Sequence, residues 1–509
     1  MPSAPPVRTR CGAPLPENSV RRVPALMVQG TGSDVGKTLL VAGLCRVFAR
    51  RGLNVQPFKP QNMSNNAAVT VEDGEIGRAQ ALQARAAGIP PSVHMNPVLL
   101  KPETDTGAQI VIQGKIAGHS EARAYQEKKP DLLPFVLESF AKLSSEADLI
   151  LVEGAGSPAE VNLRHGDIAN MGFAEAADVP VVLVGDIERG GVIAAIVGTN
   201  DVITPSERNR IQGFIINKFR GDVTLFDDGV AIIEARTHWP CFGIVPFFSA
   251  AKRLPAEDAL PLSVYRESEG KRIRILVPVL PRMANFDDFD PLLAEPDVSL
   301  EIVPPGAPLP KGADLVILGG TKSVLADLRF LRAQGWEEDL HAHYAHGGKI
   351  LGICGGYQML GQHVCDPHAM EGKGGDAPGL GFLDCETVLD REKRLHAIAG
   401  IEIASGEAVE GYEMHLGISK GDALARPVFK LDGQPEGAQS ADGQIFGTYL
   451  HGLFAADAFR HAFLNRIRPR ERSRVNYERQ IDQTLNQLAD HLEANLDIER
   501  LYAIATARC

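Results

Sequence analysis

The chain has 509 residues, 44% of them apolar and 23% charged, enough for two or three domains that each bury a core. Its net charge of −12, from 52 basic and 64 acidic residues, argues against a general nucleic-acid binder, and an anionic ligand would need locally concentrated positive charge. It has no uncharged apolar run of about 18 residues to span a membrane, and its seven cysteines (Cys11, Cys45, Cys241, Cys354, Cys365, Cys385, Cys509) lack paired spacing, which disfavours disulfides and zinc and fits a reducing cytoplasm.

Residues 1–22 are rich in Pro and Arg and lack an apolar core, so they read as a flexible tail and not as a signal peptide or a domain. Residues 23–248 read as a doubly wound, mostly parallel α/β domain. Ala25 to Val28 is a short apolar strand, Gly30-Thr31-Gly32-Ser33-Asp34-Val35-Gly36-Lys37-Thr38 a glycine-rich loop, and Leu39 to Arg50 a helix that Gly52 stops. Gly32 and Gly36 let backbone N–H groups approach phosphate oxygens, Lys37 reaches the terminal phosphates, and the Thr38 hydroxyl is offered to Mg²⁺. ATP and Mg²⁺ are therefore the expected cofactors.

The loop carries one residue more between Gly30 and Gly36 than the usual phosphate loop, and so resembles the variant of dethiobiotin synthetase and its relatives, which activate a carboxylate with ATP. A second strand, Leu149 to Val152, ends in Glu153. A carboxylate at the carboxyl end of a buried parallel strand is placed to hold a metal, so Glu153 joins Thr38 as a candidate Mg²⁺ ligand. Strands at Val179 to Val184 and Ile211 to Ile216 extend the sheet. After the latter comes Asn217, a candidate adenine contact by likeness to related nucleotide folds.

A polar, Pro-containing stretch, 249–270, reads as a linker, and a second α/β domain is expected over 271–464. Asp314 to Leu318 reads as a buried strand running into Gly319-Gly320-Thr321-Lys322. Lys349 to Gly352 runs into the sharp turn Gly352-Ile353-Cys354-Gly355-Gly356, with a helical run from Tyr357. A cysteine on such a turn is presented as a nucleophile, with the positive end of a helix to favour its thiolate. His451, closing Gly447-Thr448-Tyr449-Leu450-His451, is the candidate general base, and the amides of Gly320 and Gly355 are oxyanion-hole candidates.

This set resembles the class I glutamine amidotransferases, the triad class. Those enzymes usually carry a glutamate two residues after the histidine; here that position is Leu453, as in the branch that acts on corrin precursors. Glu413 is the candidate for the third group, with a plain polar strand end as its alternative reading.

Beyond Leu464, residues 465–509 read as a helical extension. Arg466 to Arg474 holds five arginines in nine residues without interleaved aromatics, and reads as solvated surface. Ile481, Leu485, Leu488 and Leu492 then form one apolar helix face, docked on the body or serving a homo-oligomer contact.

Longer polar motifs narrow the reading. Phe58-Lys59-Pro60-Gln61-Asn62-Met63-Ser64-Asn65-Asn66, Glu75-Ile76-Gly77-Arg78-Ala79-Gln80, Glu153 to Leu163, Asp167-Ile168-Ala169-Asn170-Met171 and Leu280 to Phe286 resemble the cobyric acid synthases. The resemblance runs from about Pro24 to about Leu464. It implies ATP- and glutamine-dependent amidation of the b, d, e and g carboxylates of cobyrinic acid a,c-diamide, with the corrin and glutamine as partners and neither nucleic acid nor membrane. Lys59, Arg78 and Arg164 are candidates to steer that polycarboxylate, with surface ion pairs as the alternative, and Asp167 is a candidate synthetase-site acid. An a,c-diamide synthase is the nearest alternative. A ParA- or MinD-like switch is a different class, against which Cys354 and His451 argue.

Overall fold

The computed structural model describes residues 23–103, 106–255, 272–371 and 374–507. The tail expected over 1–22, and most of the linker expected over 249–270, lie outside them; the linker's start forms a single 3₁₀ turn, Ser249–Arg253.

The first domain is built on a six-stranded parallel sheet in the order Cys241–Pro246, Ile211–Phe219, Val181–Asp186, Ala25–Gly30, Leu149–Glu153, Val55–Phe58. Its central strands are near-continuous apolar runs because helices cover both faces. One face packs Ala122–Ser144, Met171–Ala176, Val192–Val202 and Asp227–Thr237. The other packs Lys37–Arg50 and Arg78–Ala87. Strand order reverses around Ala25–Gly30, so the crevice for a ligand opens at its carboxyl end, beside that of Leu149–Glu153.

The carboxyl-terminal segment returns to this domain and is not an extension of the second. Helices Tyr477–Asn495 and Ile498–Thr506 complete the core beneath Lys37–Arg50. Gly43 makes the close approach possible, since a Cβ there would lie 2.4 Å from Leu492 Cδ1. The apolar stripe was legible, whereas a stripe identifies a face and not its partner. Leu485 is fully buried, so Leu485→Ala should cost about 2–5 kcal/mol. Chemical denaturation followed by tryptophan fluorescence measures this, and a loss well below that range would mean the helix is not integral.

The arginine run is also structural in part. Arg470 is buried between Glu295, at 2.6 Å, and Asp297, at 3.0 Å, while Arg468 meets Asp314 at 2.8 Å. Burial works against ionised Glu295, but Arg460 and Arg470 together hold its carboxyl below the usual range.

The second domain carries a sheet in the order Val298–Val303, Ile273–Pro278, Leu315–Leu318, Lys349–Ile353, Ile445–Thr448, Ala438–Gln439, parallel except for its last pair. Against it stands a long antiparallel hairpin, Glu386–Glu402 with Ala408–Lys420, which the sequence reading did not find. A small sheet in the first domain, Gln61–Met63, Val98–Pro102, Gly107–Ile112 and Lys115–Glu121, was missed as well. The two unforeseen elements face each other: Ala67, Leu99 and Val111 pack with Met414 of the hairpin. Among the described residues no helix is long and apolar enough to cross a membrane.

Candidate active site

Three adjacent parallel strands deliver the second domain's reactive groups to one edge. Leu318, Gly352 and Gly447 lie in register across the sheet, so the segments that follow them converge. Cys354 occupies that edge with φ 51° and ψ −110°, a backbone conformation few non-glycine residues adopt. Its neighbours are glycines for steric reasons. A Cβ on Gly356 would fall 2.0 Å from the Leu318 carbonyl oxygen, and one on Gly447 would fall 2.0 Å from the Tyr357 ring.

His451 is buried, and its Nδ1 lies 2.7 Å from Asp288 Oδ2 while the Gly452 amide donates to Asp288 Oδ1 at 2.6 Å. The imidazole and the Cys354 thiol line one cavity; His451 Nε2 is buried without a hydrogen-bond partner among the described residues, and Cys354 Sγ is 3.6 Å from the Met414 carbonyl oxygen. Burial pulls the His451 pKa down, but Asp288, aided by Cys354, more than reverses this and raises it to about 10. Gly320 sits over the pair: a Cβ there would be 3.2 Å from His451 Cε1 and 3.8 Å from Cys354 Cβ. Gly355 follows Cys354 as the first residue of helix Gly355–Leu360.

The carboxylate on His451 is therefore Asp288 and not the candidate Glu413, which takes its alternative reading as a polar strand residue. Tyr412 is the cross-strand partner of His451 and stacks on it, with ring centroids 5.2 Å apart at 15°. Side chains alternate along a strand, so Glu413 points to the opposite face. There it lies 3.8 Å from His415 and 3.7 Å from His396.

In the first domain, Lys37 Nζ donates to the carbonyl oxygens of Gly32 (2.9 Å) and Gly156 (3.3 Å). Gly36 needs its positive φ of 94°, and a Cβ there would meet Asn217 Nδ2 at 2.3 Å. Glu153 is the hub of this site. Its Oε1 accepts from Thr38 Oγ1 at 2.8 Å and Lys59 Nζ at 3.0 Å, and its Oε2 from Gln83 Nε2 at 2.6 Å. A hydroxyl and a carboxylate converging beside a phosphate loop suit Mg²⁺, which retains water and phosphate oxygens as its other ligands. No cluster of three or more His, Cys, Asp or Glu that would suit a harder-held metal exists among the described residues.

Several candidates occupy places different from those expected of them. Lys59 is buried on Glu153 rather than exposed to steer a substrate. Asn217 braces the loop by donating to the Val35 carbonyl oxygen at 2.8 Å. Arg164 is held by Glu207 and by Glu175, the latter at 2.5 Å. Asp167 accepts from the amides of Ala169, Asn170 and Gly172 at 2.8, 3.1 and 2.9 Å, and so caps the turn entering helix Met171–Ala176. Arg78 is half-buried between the domains, with Nη2 2.6 Å from Tyr412 Oη and 2.7 Å from Asp287 Oδ2. Gln83 and Asp288 were not foreseen. A glutamine inside a helical run and one acid in Phe286-Asp287-Asp288-Phe289 carry no local mark of their partners.

The domains meet at the thiol. A cavity of about 50 Å³ over Cys354 is lined by Gln358, Lys322, Lys393 and Glu371 of the second domain and by Lys101 of the first. Glu75 ties them together, at 2.7 Å from both Lys101 and Lys393. Burial lowers the Lys393 pKa, and although Glu75 opposes it the value falls to about 7; burial likewise raises Glu371 to about 8.

Residues 26–262 match the family model described as the CobQ/CobB/MinD/ParA nucleotide binding domain, and residues 274–459 match the CobB/CobQ-like glutamine amidotransferase domain. Over 483 residues the chain is 58% identical to proteins named cobyric acid synthase from two strains of Cereibacter sphaeroides, covering 95% of this chain and 100% of each relative. It is 56% identical over 481 residues to the cobyric acid synthase of Brucella suis, covering 94% of this chain and 99% of that one.

Proposed function

This chain belongs to the cobyric acid synthase family of glutamine-dependent amidoligases, and from that premise we propose that it amidates the b, d, e and g carboxylates of cobyrinic acid a,c-diamide, adenosylated or not, using ATP and glutamine. One observation supports the reading: Glu153 faces a phosphate loop in one domain, and in the other His451, held by Asp288, lines the same cavity as Cys354.

At the second domain, the Cys354 thiolate attacks the side-chain amide carbon of glutamine. The developing oxyanion meets the amides of Gly320 and Gly355, and His451 gives its proton to the departing nitrogen, releasing ammonia. Water then hydrolyses the thioester to glutamate. The lysines around the cavity suit the carboxylate of glutamine.

At the first domain, a corrin carboxylate oxygen attacks the γ-phosphorus of ATP and ADP leaves, giving an acyl phosphate. Ammonia then attacks the acyl carbon, phosphate departs, and a proton is lost to form the amide. Lys37 neutralises charge on the transferred phosphoryl group by position alone. Mg²⁺, held by Thr38 and Glu153, would supply further neutralisation of the phosphate oxygens. Lys59 and Gln83 fix the Glu153 carboxylate.

Incubating the protein with the corrin diamide, ATP, Mg²⁺ and glutamine, and following the product by mass spectrometry, should show four successive acid-to-amide mass decrements. An unchanged diamide, with the a- and c-carboxylates of cobyrinic acid amidated instead, would redirect the assignment to the a,c-diamide synthase. Glu153→Gln should weaken Mg²⁺ affinity by at least about 10-fold, the cost of losing even an outer-shell partner, with partial recovery at excess Mg²⁺. An unchanged Mg²⁺ dependence would remove Glu153 from the metal site.

A further inference from the structure

Helix Arg78–Ala87 touches both reactive centres. It is ten residues long, without internal Gly or Pro. Gly77 leads into it with no room to spare, since a Cβ there would lie 2.3 Å from Asn62 Nδ2 and 2.7 Å from Gln80 Oε1. Five residues separate Arg78 from Gln83, a rise of about 7.5 Å on a stiff rod.

At one end, the fully buried Gln83 donates to Glu153 Oε2 at 2.6 Å and reaches the Thr38 carbonyl oxygen at 3.4 Å. It therefore reads the group that joins Thr38 to Glu153. At the other end, the Arg78 guanidinium bonds Tyr412 and Asp287 and lies with its carbon 5.4 Å from the Tyr412 ring centroid. Tyr412 stacks on His451, and the residue after Asp287 is Asp288, which holds the other side of the same imidazole. One cation thus grips one support of the general acid–base, Tyr412, and the residue that precedes the other, Asp288.

We propose that this helix couples the two active sites, with Arg78 and Tyr412 acting as positioning residues that set the His451 imidazole according to the state of the nucleotide site sensed by Gln83. The proposal rests on the functional reading above. A metal taken up by Thr38 requires its hydroxyl oxygen as a ligand and reorganises the Glu153 carboxylate, and Gln83 must follow Glu153 or lose its bond. Because the helix is short and packed, that shift arrives at Arg78 as a change in how Tyr412 and Asp287 are held. Coupling between sites usually spans about 5- to 150-fold.

The test uses the full chain and measures glutamate release with and without ATP, Mg²⁺ and the corrin diamide. The unmodified protein should release glutamate at least about 5-fold faster when the first site is filled. Arg78→Gln should bring that ratio close to one, and Arg78→Lys should restore part of it. Tyr412→Phe, which keeps the stacked ring and removes only the acceptor, should lower the ratio as well, and carries the test should Arg78→Gln fail to fold. Amidation from ammonia should continue in all of them. A merely structural role for Arg78 would lower release in both conditions and leave the ratio intact. An unchanged ratio in Arg78→Gln, or in Tyr412→Phe where the former is unfolded, overturns the proposal, as does an unmodified protein indifferent to ATP and corrin. Failure of that protein to amidate the diamide from either nitrogen source is a separate result: it rejects the functional reading and the coupling with it.

Discussion

Replacing Lys37 by alanine is expected to abolish amidation whether nitrogen comes from glutamine or from free ammonia, while the fold survives. The Gly32 and Gly156 carbonyl oxygens aim its ammonium across the mouth of the phosphate loop. On the proposed mechanism both nitrogen sources depend on the same phosphorylated carboxylate, so the loss cannot be bypassed. Removing one electrostatic contact of this kind commonly costs on the order of 10²-fold or more in rate. The fold should persist because the surrounding core draws on Val41, Leu44 and Val47 on the same helix, all buried, and not on Lys37. Corrin amide formation with each nitrogen source is the measurement. Near-normal turnover with ammonia would remove Lys37 from phosphoryl transfer.

The phosphate loop and the cysteine turn were legible because each is written in one short run: glycines that the geometry demands, then the reactive residue, then a helix. Gly36, Gly356 and Gly447 are legible in the same sense, since the space a Cβ would need is already filled. What escaped was everything set by tertiary register. Asp288 stands 163 residues before the histidine it orients, and only the docking of the Phe286–Phe289 turn beside His451 brings them together. Glu413 looked suitable through its sequence neighbourhood, yet strand alternation turns it away while Tyr412 faces the imidazole. Lys59, Arg78 and Arg164 were equivalent as cations in polar motifs. The structure spends them differently, on Glu153, on the domain interface and on Glu207 with Glu175. The hairpin Glu386–Glu402 with Ala408–Lys420 was unreadable for a related reason. One strand reads Arg391-Glu392-Lys393-Arg394 through its middle; Arg391, Glu392 and Arg394 stay exposed, and Lys393 is met by Glu75 of the other domain.

The second large effect separates the two chemistries. Cys354→Ala should lose glutamine-dependent amidation by on the order of 10⁴-fold or more, as removal of a nucleophile from a triad does. Amidation from ammonia should continue, because the proposed mechanism makes the acyl phosphate in the other domain. His451→Ala should show the same split. Asp288→Asn extends it to the residue the structure adds, and should cost on the order of 10⁴-fold in glutamine use by misorienting the imidazole. It also changes the charge on that ring. With Asp288 present, the His451 pKa stands at about 10, so the imidazolium persists at neutral pH. This raised value means that the stability it contributes is full below the unfolded pKa of about 6.5 and is lost as pH climbs toward 10. Asparagine leaves the burial and removes the opposing carboxylate, so the ring should become neutral at pH 7 and that alkaline loss of stability should vanish. Glutamate release, corrin amidation from each nitrogen source, and an NMR titration of His451 check these together. If Cys354→Ala still uses glutamine, or loses ammonia-dependent amidation while folded, a two-site mechanism is wrong; if Asp288→Asn leaves the titration unmoved, Asp288 is not the group that charges the ring.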